Sequence, residues 1–193
     1  VVDSGHINTQ ECASEKGNGN KVCTVRNVNG KITVEGIKKA IKVNEDDHMV
    51  LVKMVYISNS TEFGTIYTKK ELEEIHKTCK ENNLYLFVDG ARLSSALSSS
   101  QNDMTPKEFA SLCDIFTVGG TKNGLLFGEA IVFTDENLTK NFRRHVKNKG
   151  AMFAKGFTLG IQFEELFTDN LYFEIGKHEN ELAELCTKEL KDM

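Results

Sequence analysis

Apolar positions along this chain fall into two kinds of run. Met49–Ile57 (MVLVKMVYI) and Leu84–Val88 (LYLFV) are almost continuously apolar, as strands buried on both faces of a parallel sheet are. Asp114–Val118, which leads into Gly119-Gly120, and Ala130–Phe133 read as further strands, and Lys21–Arg26 (KVCTVR) as a short one closed by Asn29-Gly30. Between these runs the apolar spacing changes to three and four, the period of one helix face. Thr33–Lys42 shows it at Val34, Ile37 and Ile41. Thr68 with Glu71 makes a capping-box pattern, followed by Leu72, Ile75 and Cys79 on one face, and Asn82-Asn83 ends that helix. Thr105 with Glu108 repeats the pattern, with Pro106 at the first helical position and the helix running through Leu112. Asn137–Asn148 reads as a basic helix, and from Thr158 the pattern is helical almost to the last residue.

Strand and helix signals in alternation predict an α/β fold, a mostly parallel sheet with right-handed crossovers and helices on both faces. Ligands of such sheets bind at the carboxyl ends of the strands. Composition narrows the classes of function. At 193 residues the chain has room for one domain, or one and part of a second. No run approaches the roughly 20 apolar residues of a membrane span. A net charge of −4 and an isoelectric point near 5.8 lack the basic footprint of a nucleic-acid binder. Five cysteines, Cys12, Cys23, Cys79, Cys113 and Cys186, are odd in number and show no metal-ligand spacing, which points to free thiols in a reducing, cytoplasmic compartment and to no metal. Cys79 and Cys113 fall on apolar helical positions and read as small buried hydrophobes.

Three strands run into polar loops: Ile57 into SNSTEFG, Val88 into DGAR and Val118 into GGTKNG. Asp89 follows its strand directly, so the sheet edge presents a carboxylate, and Arg92 comes three residues later. Lys122 follows two glycines and precedes Gly124, where small residues leave the backbone open to close approach. The 33 positions from Asp89 to Lys122 fit one crossover, so both can sit at strand ends of one sheet. Pyridoxal phosphate needs that pair: a lysine to form a Schiff base and a carboxylate to hold the pyridine nitrogen protonated. Taken singly, a loop lysine is usually a solvated charge, Asp-Gly a turn, and Arg92 a simple partner for Asp89. His6 and His48 can stack on a ring or move a proton near neutral pH, though each by itself reads as an ordinary loop histidine. His76, His145 and His178 lie on helices and look structural.

At DGARL and GGTKNGLLFGEA the sequence becomes recognisable. It resembles the pyridoxal-phosphate-dependent low-specificity threonine aldolases, within the aromatic amino acid β-eliminating lyase/threonine aldolase family of fold type I. The likeness runs from His6 and Glu11 through His48, ISNSTEFGTIYTKKEL and LYLFVDGARL to KNKGAMFAKG. It implies that Lys122 forms the Schiff base, Asp89 pairs with the pyridine nitrogen, and Arg92 binds the substrate carboxylate or the cofactor's phenolic side. It further implies that His6 stacks on the ring, His48 sits near the substrate hydroxyl, and Thr121 holds the phosphate. The implied reaction is aldol cleavage of L-threonine or a related 3-hydroxy amino acid to glycine and an aldehyde, in a homodimer or homotetramer with active sites at subunit interfaces.

Two departures qualify the likeness. Phe153 and Lys155 stand in KNKGAMFAKG where many threonine aldolases carry an arginine, and lysine keeps the charge without the bidentate fork. The family's upstream glycine-rich phosphate loop and its C-terminal small domain find no counterpart. Residues 1–165 then read as the central part of a cofactor-binding large domain, and 166–193 as a helix leading toward the small domain. A β-eliminating lyase acting on a C–S or aromatic amino acid shares the fold and the TEFGT and GTKNGLLFGEA segments. A non-catalytic binding scaffold is the reading of another class, and the intact Lys122 and Asp89 speak against it.

Overall fold

The computed structural model describes residues 1–11 and 19–191. Its centre is a four-stranded sheet of β1 (Met54–Ser58), β2 (Tyr85–Asp89), β3 (Ile115–Gly119) and β4 (Glu129–Phe133), side by side in that order. β1, β2 and β3 run parallel, and β4 pairs antiparallel with β3. The mostly parallel α/β sheet is as the sequence predicts, but the last connection is not a crossover. Gly119 and Glu129 are register partners, and the chain between them carries only the 3₁₀ turn Thr121–Asn123, so β4 returns alongside β3.

The helices are α1 (His6–Thr9), α2 (Val34–Val43), α3 (Lys69–Glu81), α4 (Leu93–Leu97), α5 (Pro106–Ser111), α6 (Phe142–Asn148), α7 (Phe157–Phe167) and α8 (Leu171–Lys191). Both predicted capping boxes form. The Glu71 amide donates to Thr68 Oγ1 at 3.3 Å while Thr68 N–H donates back to the Glu71 carboxylate at 2.8 Å. Thr105 and Glu108 repeat this at 3.2 and 2.8 Å.

Several predicted elements come out differently. Lys21–Arg26 is not a strand: Val25 makes a single bridge to Val2, with no longer ladder to extend it. Only Met54 onward of Met49–Ile57 joins the sheet, and Leu51 is exposed. The stretch 137–148 divides at Asn141, whose left-handed φ of 63° interrupts the helix before α6. The final helical stretch breaks in the same way at Asp169, φ 51°, between α7 and α8. α4 was not predicted; its serines are weak helix formers, and packing against α8 compensates.

The core lies on one face of the sheet. Val55 and Ile57, Leu86 and Val88, and Phe116 and Val118 point into it, against Leu72, Ile75 and Cys79 of α3, Phe109 of α5 and Leu93 of α4. Buried Asp114 closes its lower end, accepting from the Leu86 amide at 2.8 Å and pairing with Lys80. The opposite face carries Tyr56, Ser58, Phe87, Asp89 and Thr117, all half-buried, with Met54, Tyr85 and Ile131 exposed. Strand alternation therefore sends Asp89 to the more open face.

Candidate active site

Register places the strand ends side by side, with Ser58 of β1 opposite Asp89 of β2. The loops that follow β2 and β3 then pack backbone against backbone. A Cβ on Gly90 would lie 2.0 Å from the Thr117 carbonyl oxygen, and one on Gly119 would lie 2.3 Å from that of Ala91. Only glycine allows that approach, so DGAR and GGTK are held as one edge. Gly119 N–H donates to the Gly90 carbonyl at 3.0 Å and Gly90 N–H to Thr117 Oγ1 at 2.8 Å.

Asp89 is fixed by three donors. Tyr56 OH reaches Oδ2 at 2.6 Å, while Ala91 N–H and the Thr117 hydroxyl reach Oδ1 at 3.0 and 3.4 Å. A carboxylate offers about four lone-pair positions, so one remains for a further donor. Tyr56 lies flat on Phe87, ring centres 5.0 Å apart. Burial, and the Asp89 carboxylate it binds, push its phenol well above the usual range. The sequence reading missed this residue because it sits in an apolar strand run. The available signal was the period of two, which puts Tyr56 on the face of Ser58 and, through the paired strand, of Asp89.

Lys122 stands in the turn Thr121–Asn123, exposed, with no hydrogen bond or ion pair to the other described residues. Its neighbour Asn123 is the anchor. Only 1% exposed, Asn123 donates to the Gly119 carbonyl at 2.6 Å and is bonded by the Ser94 hydroxyl of α4. The Gly120 and Thr121 amides donate to Glu129 at 3.1 and 3.4 Å, and the Thr121 hydroxyl to the Gly128 carbonyl at 3.5 Å. Arg92 precedes α4, exposed; its carbonyl accepts from Ala96 N–H at 3.2 Å, and its guanidinium has no partner among the described residues.

His6 comes to the same edge. Its N–H donates to Glu62 Oε1 at 2.8 Å, the oxygen that also accepts from Ser58 Oγ at 2.8 Å, and its ring Nε2 lies 3.1 Å from Glu11. His48 is not brought there. It sits on the loop leading into β1, its Nδ1 2.8 Å from Asp46 and its side chain 95% exposed. Phe153 and Lys155 are exposed between α6 and α7. Cys12 lies outside the described residues. Two cavities of about 510 and 350 Å³ are lined by other residues than Asp89 and Lys122. No helix among the described residues is long and apolar enough to cross a membrane.

A carboxylate with one acceptor position open, an unpaired primary amine on the adjoining strand end and a glycine-built edge between them fit a flat heterocyclic aldehyde such as pyridoxal phosphate. Asp89 would accept from its ring nitrogen and Lys122 would hold its aldehyde carbon.

Known proteins resemble this chain in sequence and fold. The family model described as Beta-eliminating lyase matches residues 1–186. A low specificity L-threonine aldolase of Pseudomonas sp. (strain NCIMB 10558) is 33% identical over 99% of this chain and 56% of its own length. The solved structure of Leishmania major threonine aldolase superimposes with a TM-score of 0.96 at 48% identity, over 100% of this chain and 56% of that one. The pyridoxal-phosphate-bound C–S lyase from Staphylococcus hominis shares the fold, with a TM-score of 0.64 at 18% identity over 98% of this chain and 50% of its own. The chain thus spans about half the length of the relatives it matches. Matched by that family model along nearly its whole length, residues 1–186, this chain is a member of the beta-eliminating lyase family.

Proposed function

We propose that the protein carrying this chain cleaves L-threonine, or a related 3-hydroxy amino acid, to glycine and an aldehyde with the help of pyridoxal phosphate. The observation that carries the reading is the joining of Asp89 and Lys122 on one strand-end edge, in a chain 48% identical to a threonine aldolase. When bound, the cofactor supplies an electron sink for the carbanion left by breaking the Cα–Cβ bond. The residues supply its placement. Asp89 would hold the ring nitrogen, and Lys122 would provide the amine that attaches the cofactor. Arg92, unpaired and cationic, binds the substrate carboxylate. His6 stacks on the ring, Thr121 contributes to the phosphate, and His48 takes the β-hydroxyl proton. The Thr121 role requires its hydroxyl to leave the Gly128 carbonyl; His48, with Nδ1 on Asp46, keeps Nε2 for the proton, and its role requires its loop to come to the edge.

The protein acts as a homodimer or homotetramer in the cytoplasm. Exposed Leu126 and Phe127, four and five residues after Lys122, support an interface beside the site. Residues 1–165 serve as the central part of the large domain, and the stretch from 166, which breaks at Asp169 before α8, leads on toward a small one. The relative from Staphylococcus hominis, a C–S lyase, keeps β-elimination as the second reading. Turnover separates the two: the full-length protein should release glycine and acetaldehyde from L-threonine, and Lys122→Ala should abolish it. Pyruvate from L-cysteine with no cleavage of threonine would establish elimination instead, and full activity in Lys122→Ala would end both readings.

A further inference from the structure

We infer that Tyr56 is a positioning residue for the cofactor, acting through Asp89. The inference rests on the pyridoxal phosphate reading above and adds a residue to it. Tyr56 reaches Asp89 from the neighbouring strand, and its 2.6 Å bond is the shortest that the carboxylate accepts from the described residues. The other two donors both bind Oδ1, so among the described residues Tyr56 alone holds Oδ2. Without it the carboxylate is tethered at one oxygen and free to turn about its last torsion, which is soft. The phenol is itself immobilised by stacking on Phe87 and by partial burial. Its raised ionisation range keeps the proton on the oxygen, so it remains a donor at working pH. Hydrogen bonds to charged groups are directional and strong, and an acceptor aimed by a rigid donor binds its next partner with less loss of freedom. The pyridine nitrogen would then meet an oxygen already turned toward it.

The test is a double-mutant cycle in the full-length protein, read by cofactor titration and by the pH profile of the bound cofactor's visible absorption. Tyr56→Phe keeps the ring on Phe87 and removes only the hydroxyl. It should weaken pyridoxal phosphate binding about tenfold and shift the absorption profile, while the thermal midpoint of the cofactor-free protein stays close to wild type. In an Asp89→Asn background the same substitution should change neither readout further, because the group it orients has lost its charge. Tyr56→Phe with wild-type affinity and profile, or an equal effect in both backgrounds, would overturn the inference while leaving the proposed function standing. A wild-type protein that binds no cofactor would overturn the proposed function, and this inference with it.

Discussion

A single buried amide illustrates how the reactive edge is held at the scale of residues. Asn123 has no water to turn to at 1% exposure, so each of its bonds matters more than a surface bond would. Asn123→Ala leaves the Gly119 carbonyl and the Ser94 hydroxyl without this partner. It should cost about 1–3 kcal/mol, the range for an unsatisfied buried group, seen as a lower midpoint in urea unfolding. The thiols make a second case. Burial pushes Cys79 and Cys113 each up to about 12, leaving almost no thiolate near neutral pH. Alkylation of the native protein near pH 8, mapped by mass spectrometry, should label exposed Cys186 ahead of half-buried Cys23 and spare Cys79 and Cys113. The sequence already assigned both to the core on helical positions; Cys79 is on α3, while Cys113 is buried in the link between α5 and β3. It could not reveal Tyr56 or Asn123, because a tyrosine in an apolar strand and an asparagine beside a glycine have commonplace local explanations. Their roles arise from residues 33 and 29 positions away.

Among the elements, those defined by local chemistry were legible and those defined by partners were not. Thr68–Glu71 and Thr105–Glu108 specify helix starts within four residues, and both form as written. Lys21–Arg26 looked as strand-like as Leu84–Val88, but a strand exists only where a neighbour extends the ladder, and Val25 finds one bridge. The direction of β4 likewise depends on how the chain returns from Gly119, which an apolar run cannot encode. The second capping box also carries a pH signature. Lys69 and the Thr105 backbone and hydroxyl hold the Glu108 carboxyl down at about 2, against an ordinary 4.5. A carboxylate with a depressed folded-state value stabilises the fold above its unfolded value, and the benefit goes as pH falls from about 4.5 toward 2. Thermal midpoints measured across that range should therefore fall less steeply for Glu108→Gln than for wild type, after both are compared at neutral pH.

The whole molecule is organised so that a core on one face of the sheet supports the strand-end edge that bears Asp89. Helix α8 braces it from behind: a Cβ on Gly176 would lie 2.4 Å from the Ser94 carbonyl carbon, and Asn180 donates to the Ser95 carbonyl at 2.9 Å. The brace reaches Lys122 through Ser94 and Asn123, so the reactive loop is coupled to the helix that follows the sheet. The α/β class was visible in the sequence, and the polar loops after β2 and β3 lie side by side as such folds arrange them. The exposure of His48 agrees with its reading as an ordinary loop histidine, while a place beside the substrate was implied by the resemblance alone. All of this turns on Lys122 carrying the cofactor. The most direct measurement is borohydride reduction of the full-length, cofactor-loaded protein, followed by proteolysis and mass mapping. The account predicts one phosphopyridoxyl group per chain, on the peptide that contains Lys122, and none in Lys122→Ala. A label fixed on another lysine, or no label on a protein that still cleaves threonine, would contradict it.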